Sequence, residues 1–227
     1  VLDKNGIPIK VIKKVRGASN KLIEEFMLLA NKKVAKELSV VKNKKNKNHE
    51  ENETISIYRV HDLPSKEKME DLAFFLRSLG KKVSLVDGII PSHEINEILK
   101  SIDQSDKDST MRDAVHRAVI RSMAKAIYST KNIGHYGLAF EYYTHFTSPI
   151  RRYPDILVHR ILNNHLKGIN LGKEKINEYE KIARISSEQE KRASDAERAS
   201  IKYKQVEYMS TRLNSQFKGV ISGITEW

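Results

Sequence analysis

Between Gly137 and Leu162 the chain reads GLAFEYYTHFTSPIRRYPDILVHRIL, which gathers aromatic rings, hydroxyls and the pair Arg151-Arg152 into one short element. Side chains of this mixture can hold a phosphate and stack a base. Tyr142, Tyr143 and Phe146 alternate with polar residues ahead of Ser148-Pro149, the pattern of a strand or extended segment entering a helix. Two helix starts are open. If Ser148 is the cap, Pro149 takes the first position and both arginines fall in the first turn, beside unpaired backbone N–H groups. Two cations there oppose the helix dipole, and a bound anion removes the conflict. If Pro154 marks the start instead, the arginines lie just ahead of the helix. Either placement makes a basic corner rich in N–H donors. An ordinary surface helix with one or two ion pairs accounts for the same spacing without a ligand.

The elements that must position this corner come from a chain of 227 residues, long enough to bury a substantial core. Lys and Arg number 41 against 29 Asp and Glu, a formal net charge of +12, so polyanions are the favoured partners, though charge alone does not choose among RNA, DNA and an anionic membrane. No apolar run reaches the roughly 18 residues of a membrane-span candidate, and no signal-peptide pattern opens the chain. The absence of cysteine excludes disulfides and thiolate metal sites and fits a cytoplasmic protein.

The opening VLDKNGIPIKV reads as a short strand, a turn at Asn5-Gly6 and a second strand, an abrupt start that suggests a fragment. From Ser19, apolar residues at 22, 26, 29, 30, 34 and 38 predict a helix with a wide buried face, with Glu24 and Glu25 near its positive end. Those two acids are favourable first-turn residues, or they reach a sugar hydroxyl or a metal-bound water. Residues 42–53 form a polar run with no apolar face and read as a solvated loop. TISIYRVHD alternates like a strand whose exit carries Tyr58, Arg59 and His61, either a core tyrosine with a surface histidine or a ligand site.

The segment up to Gly80 places Met69, Leu72, Ala73, Leu76 and Leu79 at helical spacing. A helix near Ser92 follows, and a longer one is predicted behind a capping box at Thr110 and Asp113, with Val115, Val119, Ile120, Ala124 and Ile127 on its apolar face. Arg117, Arg121 and Lys125 make a basic stripe along it, a phosphate track or a solvated face. DQSDKD, with Asp103, Asp106 and Asp108, fails the calcium-loop pattern at Lys107 and is better read as a soluble turn. The last helix covers much of Lys173 to Leu213, with a seam of Ile176, Tyr179, Ile182, Ala183 and Ile185 or Ser186. Within its alanine-rich ASDAERAS, small residues permit close approach, and Glu197 either braces an active-site arginine or is an exposed helix acid.

In combination, SNKLIEEFMLLAN, YRVHDLPSKEKMEDLAFFLRSLG and HYGLAFEYYTHFTSPIRRYPDILVHR resemble the ribonuclease II and ribonuclease R exoribonuclease family, in the carboxy-terminal half of its RNB catalytic domain. The later AER follows in the same order, and the likeness covers most of residues 1–213. It implies a helix-rich α+β fold, with residues 214–227 resembling the first strands of an RNA-binding OB barrel.

The resemblance also implies an activity: processive 3′-to-5′ hydrolysis of single-stranded or structured RNA to nucleoside 5′-monophosphates, at a Mg²⁺-dependent phosphoryl-transfer centre of a monomeric parent. By the same resemblance Arg151 matches the catalytic phosphate-contacting arginine, Arg152 is a neighbouring phosphate contact, and Glu197 positions the arginine. Glu24 or Glu25 matches the acid that recognises the RNA sugar, and Thr147 and Ser148 organise the turn or donate to phosphate. The family's aspartate-rich metal motif belongs to a segment expected ahead of Val1. The expectation is therefore a chain that binds RNA weakly and hydrolyses little or none by itself, with a noncatalytic RNA-binding relative and a helical scaffold as the alternatives.

Overall fold

The structure is a computed structural model that describes residues 1–12, 17–39, 55–104, 109–169 and 171–217. Its described elements are α1 (Ala18–Ser39), β1 (Tyr58–Val60), α2 (Lys66–Ser78), α3 (Ser92–Gln104), α4 (Ser109–Ser122), β2 (Ile127–Ser129), α5 (Tyr153–Leu166) and α6 (Ile176–Ser210). The α+β class is helix-rich, as its sequence implies. The expected loop at 42–53 and the acidic turn at Asp106 and Asp108 lie outside the described residues, as does 218–227 of the expected barrel start. Residues 215–217 carry no regular structure.

Two apolar cores divide the helices. In one, Met69, Leu72 and Leu76 of α2 meet Ile95, Ile98 and Ile102 of α3 and Val115 and Val119 of α4. The i, i+3, i+4 spacing of these residues turns one face of each helix inward. Gly80, at φ +75°, closes α2: its N–H bonds the Arg77 carbonyl at 2.9 Å and Lys81 N–H bonds that of Leu76 at 3.1 Å, the paired bonds of a Schellman end. In the other core, Leu38 of α1, Ile57 and Tyr128 pack with Leu157, Val158 and Ile161 of α5 and Ala183 of α6.

A two-stranded antiparallel pair sets Arg59 opposite Tyr128; Tyr128 belongs to the second core, while Tyr58 and Val60 pack with Ala35 of α1 in a smaller cluster. The predicted alternation of TISIYRVHD is not realised, because Ile55, Ser56, Ile57 and Tyr58 are all buried and only three residues form the strand. β2 is a further departure. Ile127 is not on the preceding helix, since α4 stops at Ser122; Ala124 and Lys125 belong to the connection, and Ile120 faces outward. The outer edge of β2 is covered by side chains of α6: Tyr128 N–H donates to Ser187 Oγ at 2.9 Å and Thr130 N–H to Glu180 Oε2 at 2.7 Å. A helix thereby satisfies donors that a third strand normally takes.

Other expectations shift in the same way. Leu22, Phe26 and Leu29 are exposed, so the apolar face of α1 is buried only toward its end, at Asn31, Ala35 and Leu38. Glu24 and Glu25 fall in the second turn of α1, whose first turn holds no acid. The opening residues reduce to a single Leu2–Pro8 bridge around a turn that the Asp3 carboxylate holds by accepting from Asn5 and Ile7 N–H at 2.8 Å each. Residues 142–146 are irregular, not a strand, although Arg59 N–H bonds the Tyr143 carbonyl at 2.9 Å. His61 is a buried structural residue: its Nδ1 accepts from Gly137 N–H at 2.8 Å, leaving Nε2–H to donate to the Ala124 carbonyl at 2.7 Å. No described helix is long and apolar enough to cross a membrane.

Candidate active site

The helix that follows the two arginines begins at Tyr153, with Arg152 as its cap residue and Pro154 in its first turn. Of the two starts open in the sequence, the structure adopts the one at Pro154, where a missing N–H costs no helical bond. Arg151 and Arg152 therefore lie in the turn ahead of α5, and both of their N–H groups bond the Ser148 carbonyl, at 3.3 and 3.2 Å.

A buried carboxylate fixes this turn. Asp155, three residues into the helix, accepts from Ser148 N–H at 2.7 Å and from the Arg152 guanidinium at 2.8 Å, both through Oδ1. Its Oδ2, Arg152 Nε and Thr147 Oγ1 are buried without a partner. At the tip, Ile150 is 96% exposed beside Arg151.

Arg151, Arg152, Tyr153 and Pro154 form one wall of a cleft of about 700 Å³. The opposite wall is α6, from Ile182 to Glu197, and Tyr128 of β2 reaches into the space between. The periodicity that puts Ile182, Ser186, Gln189, Ala193 and Glu197 on one face of α6 explains why a single helix can supply that wall. Arg59 stacks over the Tyr128 ring at 4.6 Å and pairs with Glu190 Oε2 at 2.6 Å. The Tyr128 hydroxyl shares a 2.8 Å hydrogen bond with His145 Nδ1.

The electrostatics follow from this crowding of cations. Burial, then the guanidiniums of Arg152, Arg59 and Arg151, push the His145 pKa down to about 2, so the ring stays neutral. Burial raises the Tyr128 phenol to about 12 against the pull of Arg59. Arg59 is matched by Glu190 and Arg152 by Asp155, whereas Arg151 makes no ion pair among the described residues. The cleft is thus lined by one guanidinium that has no ion pair among the described residues, together with the Tyr128 and Tyr153 side chains, apolar Ile182 and Ile185, and the carboxylate of Glu197. An anion attached to a ring or sugar matches that combination.

The structure brings Arg151, Arg152 and Glu197 to one cleft. No hydrogen bond or ion pair joins Glu197 to either arginine among the described residues. Thr147 and Ser148 build the turn but do not line the cleft. Glu24 lines a separate depression on α1 with Ser19, Asn20, Ile23 and Met27, and Glu25 does not line the arginine cleft either. Sequence reasoning passed over Asp155, Tyr128, His145 and the Arg59–Glu190 pair. Asp155 had a local signal, an acid three residues after the helix cap; Arg59 and Glu190 lie 131 residues apart and had none.

Could the cleft hold a metal by itself? Among the described residues no group of three or more His, Asp or Glu side chains is placed to do so, and Glu190 and Asp155 are committed to arginines.

Comparison with known proteins gives a consistent picture. The RNB domain family profile matches residues 1–168. Ribonuclease R of Aquifex aeolicus is 36% identical over 99% of this chain, which spans 30% of that protein's length. A structure of Mycoplasma genitalium RNase R in complex with ribose-methylated single-stranded RNA superposes with a TM-score of 0.82 at 30% identity, covering 99% of this chain and 34% of that one. The same protein in complex with double-stranded RNA superposes with a TM-score of 0.80 at 29% identity, covering 98% and 38%.

Proposed function

The chain belongs to the RNB domain family, and on that premise we propose that it supplies the phosphate-holding wall of an exoribonuclease active centre that shortens RNA from its 3′ end to nucleoside 5′-monophosphates. The observation that carries this reading is Arg151, a cleft-lining guanidinium with no ion pair among the described residues where its neighbours Arg152 and Arg59 are matched.

In this reading Arg151 takes the phosphodiester through its planar donor fork. Arg152, held from behind by Asp155, keeps the turn at a fixed distance and adds positive potential. Tyr153, half exposed on the same wall, offers a ring face to a base or sugar, and Tyr128 closes the far end. Glu197, across the cleft on α6, orients the Arg151 guanidinium once an anion has drawn it inward. Glu24 or Glu25 meets the sugar only on an RNA path that leaves this cleft and passes α1. Any divalent metal needs ligands other than the carboxylates grouped here, so the chemistry assigned to this chain is binding and orientation. Single-stranded and structured RNA are the proposed partners, in keeping with the RNA that the M. genitalium relative holds.

The test is a salt titration of binding to a 3′-labelled single-stranded oligoribonucleotide, paired with a magnesium-dependent nucleotide-release assay on the chain and on a full-length relative. Arg151→Ala is expected to weaken binding and to lower the slope of log affinity against log salt by about 1. Release is expected from the full-length relative and not from the chain. Unchanged affinity and slope in Arg151→Ala would overturn the reading.

A further inference from the structure

A second cavity of about 300 Å³ adjoins the first, on the side of α6 turned toward the connection between α4 and β2; the two share only Glu190 and Ser194. Its cations come from three separate parts of the fold: Arg59 from β1, Lys125 from the α4–β2 connection, and Lys191 and Arg198 from α6. On α6 the residues Ser187, Lys191, Ser194 and Arg198 follow at i, i+4, i+7 and i+11, one face on which hydroxyls alternate with cations. A solvated basic helix gives such a stripe by itself; it does not bring Lys125 and Arg59 to the same place.

The charges do not balance. Glu190 answers Arg59 at 2.6 Å, and Asp195 is hydrogen-bonded by Arg198. Lys125 and Lys191 have no ion-pair partner among the described residues. Both line the cavity together with Arg198, and the Asp195 carboxyl is held below its usual range first by the Arg198 hydrogen bond and further by the charges of Arg198, Lys125 and Lys191.

We infer that this cavity is a second phosphate site, with Lys125 and Lys191 as the point charges that take a phosphate group and Ser194 as its hydroxyl donor. The volume suits a single nucleotide better than a length of strand. The phosphate can belong to a backbone phosphodiester of RNA leaving the first cleft or to a free phosphomonoester. Nothing in this assignment requires that the arginine cleft hydrolyse RNA.

The experiment is backbone amide NMR of the ¹⁵N-labelled chain, titrated separately with inorganic phosphate, adenosine 5′-monophosphate and a single-stranded oligoriboadenylate. Shifts at Lys125, Ala126, Lys191 and Ser194 are expected, persisting in Arg151→Ala. They should fade in Lys125→Ala/Lys191→Ala, with a loss of about one unit of salt slope per lysine in the oligonucleotide arm. A response to the monophosphate or to phosphate identifies a phosphomonoester site; a response to the oligonucleotide alone identifies a strand contact. Both lysines are exposed, so the double variant should fold, and an unchanged amide spectrum away from the site checks this. Shifts confined to residues 148–154, or shifts that survive the double substitution, would overturn the second site; the former would leave the reading of the first cleft intact.

Discussion

Arg152 and Asp155 meet at 2.8 Å, with the carboxylate fully buried and the guanidinium 14% exposed, so the pair is an internal strut of the turn that presents Arg151. Removing the carboxylate leaves a buried guanidinium and the Ser148 N–H without an acceptor. Asp155→Ala is expected to destabilise the fold by about 3–5 kcal/mol, measured by urea unfolding. Asp155→Asn, which keeps an acceptor for Ser148, should cost less than Asp155→Ala.

Acid should weaken the protein through two partly buried imidazoles before it reaches the carboxylates. Burial, then Arg152, Arg59 and Arg151, lower His145 to about 2; burial, then His61 and Arg59, lower His135 to about 4, each from 6.5. Both groups bind a proton in the unfolded chain at a pH where the folded protein refuses it. Their contribution is intact well above pH 6.5 and is lost as pH falls toward each folded value, so proton uptake on unfolding should rise from about one per molecule at pH 6.5 to close to two near pH 5. Denaturant midpoints across that range check this, and His145→Gln should reduce the uptake by about one proton.

The Arg59–Glu190 pair ties β1 to α6 while Arg59 also covers the Tyr128 ring. A double-mutant cycle with Arg59→Ala and Glu190→Ala is expected to show a coupling of roughly 1–3 kcal/mol in unfolding free energy. Arg59→Lys should recover only part of it, because an ammonium keeps the charge but loses the flat face.

At Gly137 the backbone passes close to His61: a Cβ built there lies 2.7 Å from Nδ1, the atom that accepts the Gly137 N–H. Gly137→Ala should cost about 1–3 kcal/mol by thermal or urea unfolding, since the ring, bonded on both nitrogens, has nowhere to retreat.

These residues mark where a sequence speaks for itself. Periodicity predicts α2 and α3 because the residues that share a helical face, Met69, Leu72 and Leu76 among them, are also covered by neighbours within this chain. The same argument fails for the first half of α1, where Leu22, Phe26 and Leu29 share a face that stays exposed among the described residues. Spacing states which side chains stand together; what meets them is a tertiary matter. β2 is hidden for a related reason: its three residues continue the apolar rhythm of α4, and its pairing depends on β1 and α6, far away in the chain. In the candidate site, Arg151, Arg152 and Glu197 are readable from motif and order, but the carboxylate that sets the turn and the tyrosine in the cleft emerge only once the elements are assembled.

α6 runs for 35 residues, about 52 Å, yet only Ala183 along it is buried, and every residue from 191 to 200 is exposed. Its anchored part is the stretch that holds the β2 end through Glu180 and Ser187 and β1 through Glu190; beyond that it is exposed, steadied where Lys204 Nζ donates to the Gly6 carbonyl at 2.7 Å. Glu197 and three residues of the second cation pocket, Lys191, Ser194 and Arg198, sit on this exposed part. Amide hydrogen exchange along α6 should therefore be graded, slow near residue 183 and faster past 191, and an anion that bridges the cleft would slow exchange at 193–198 without touching the core.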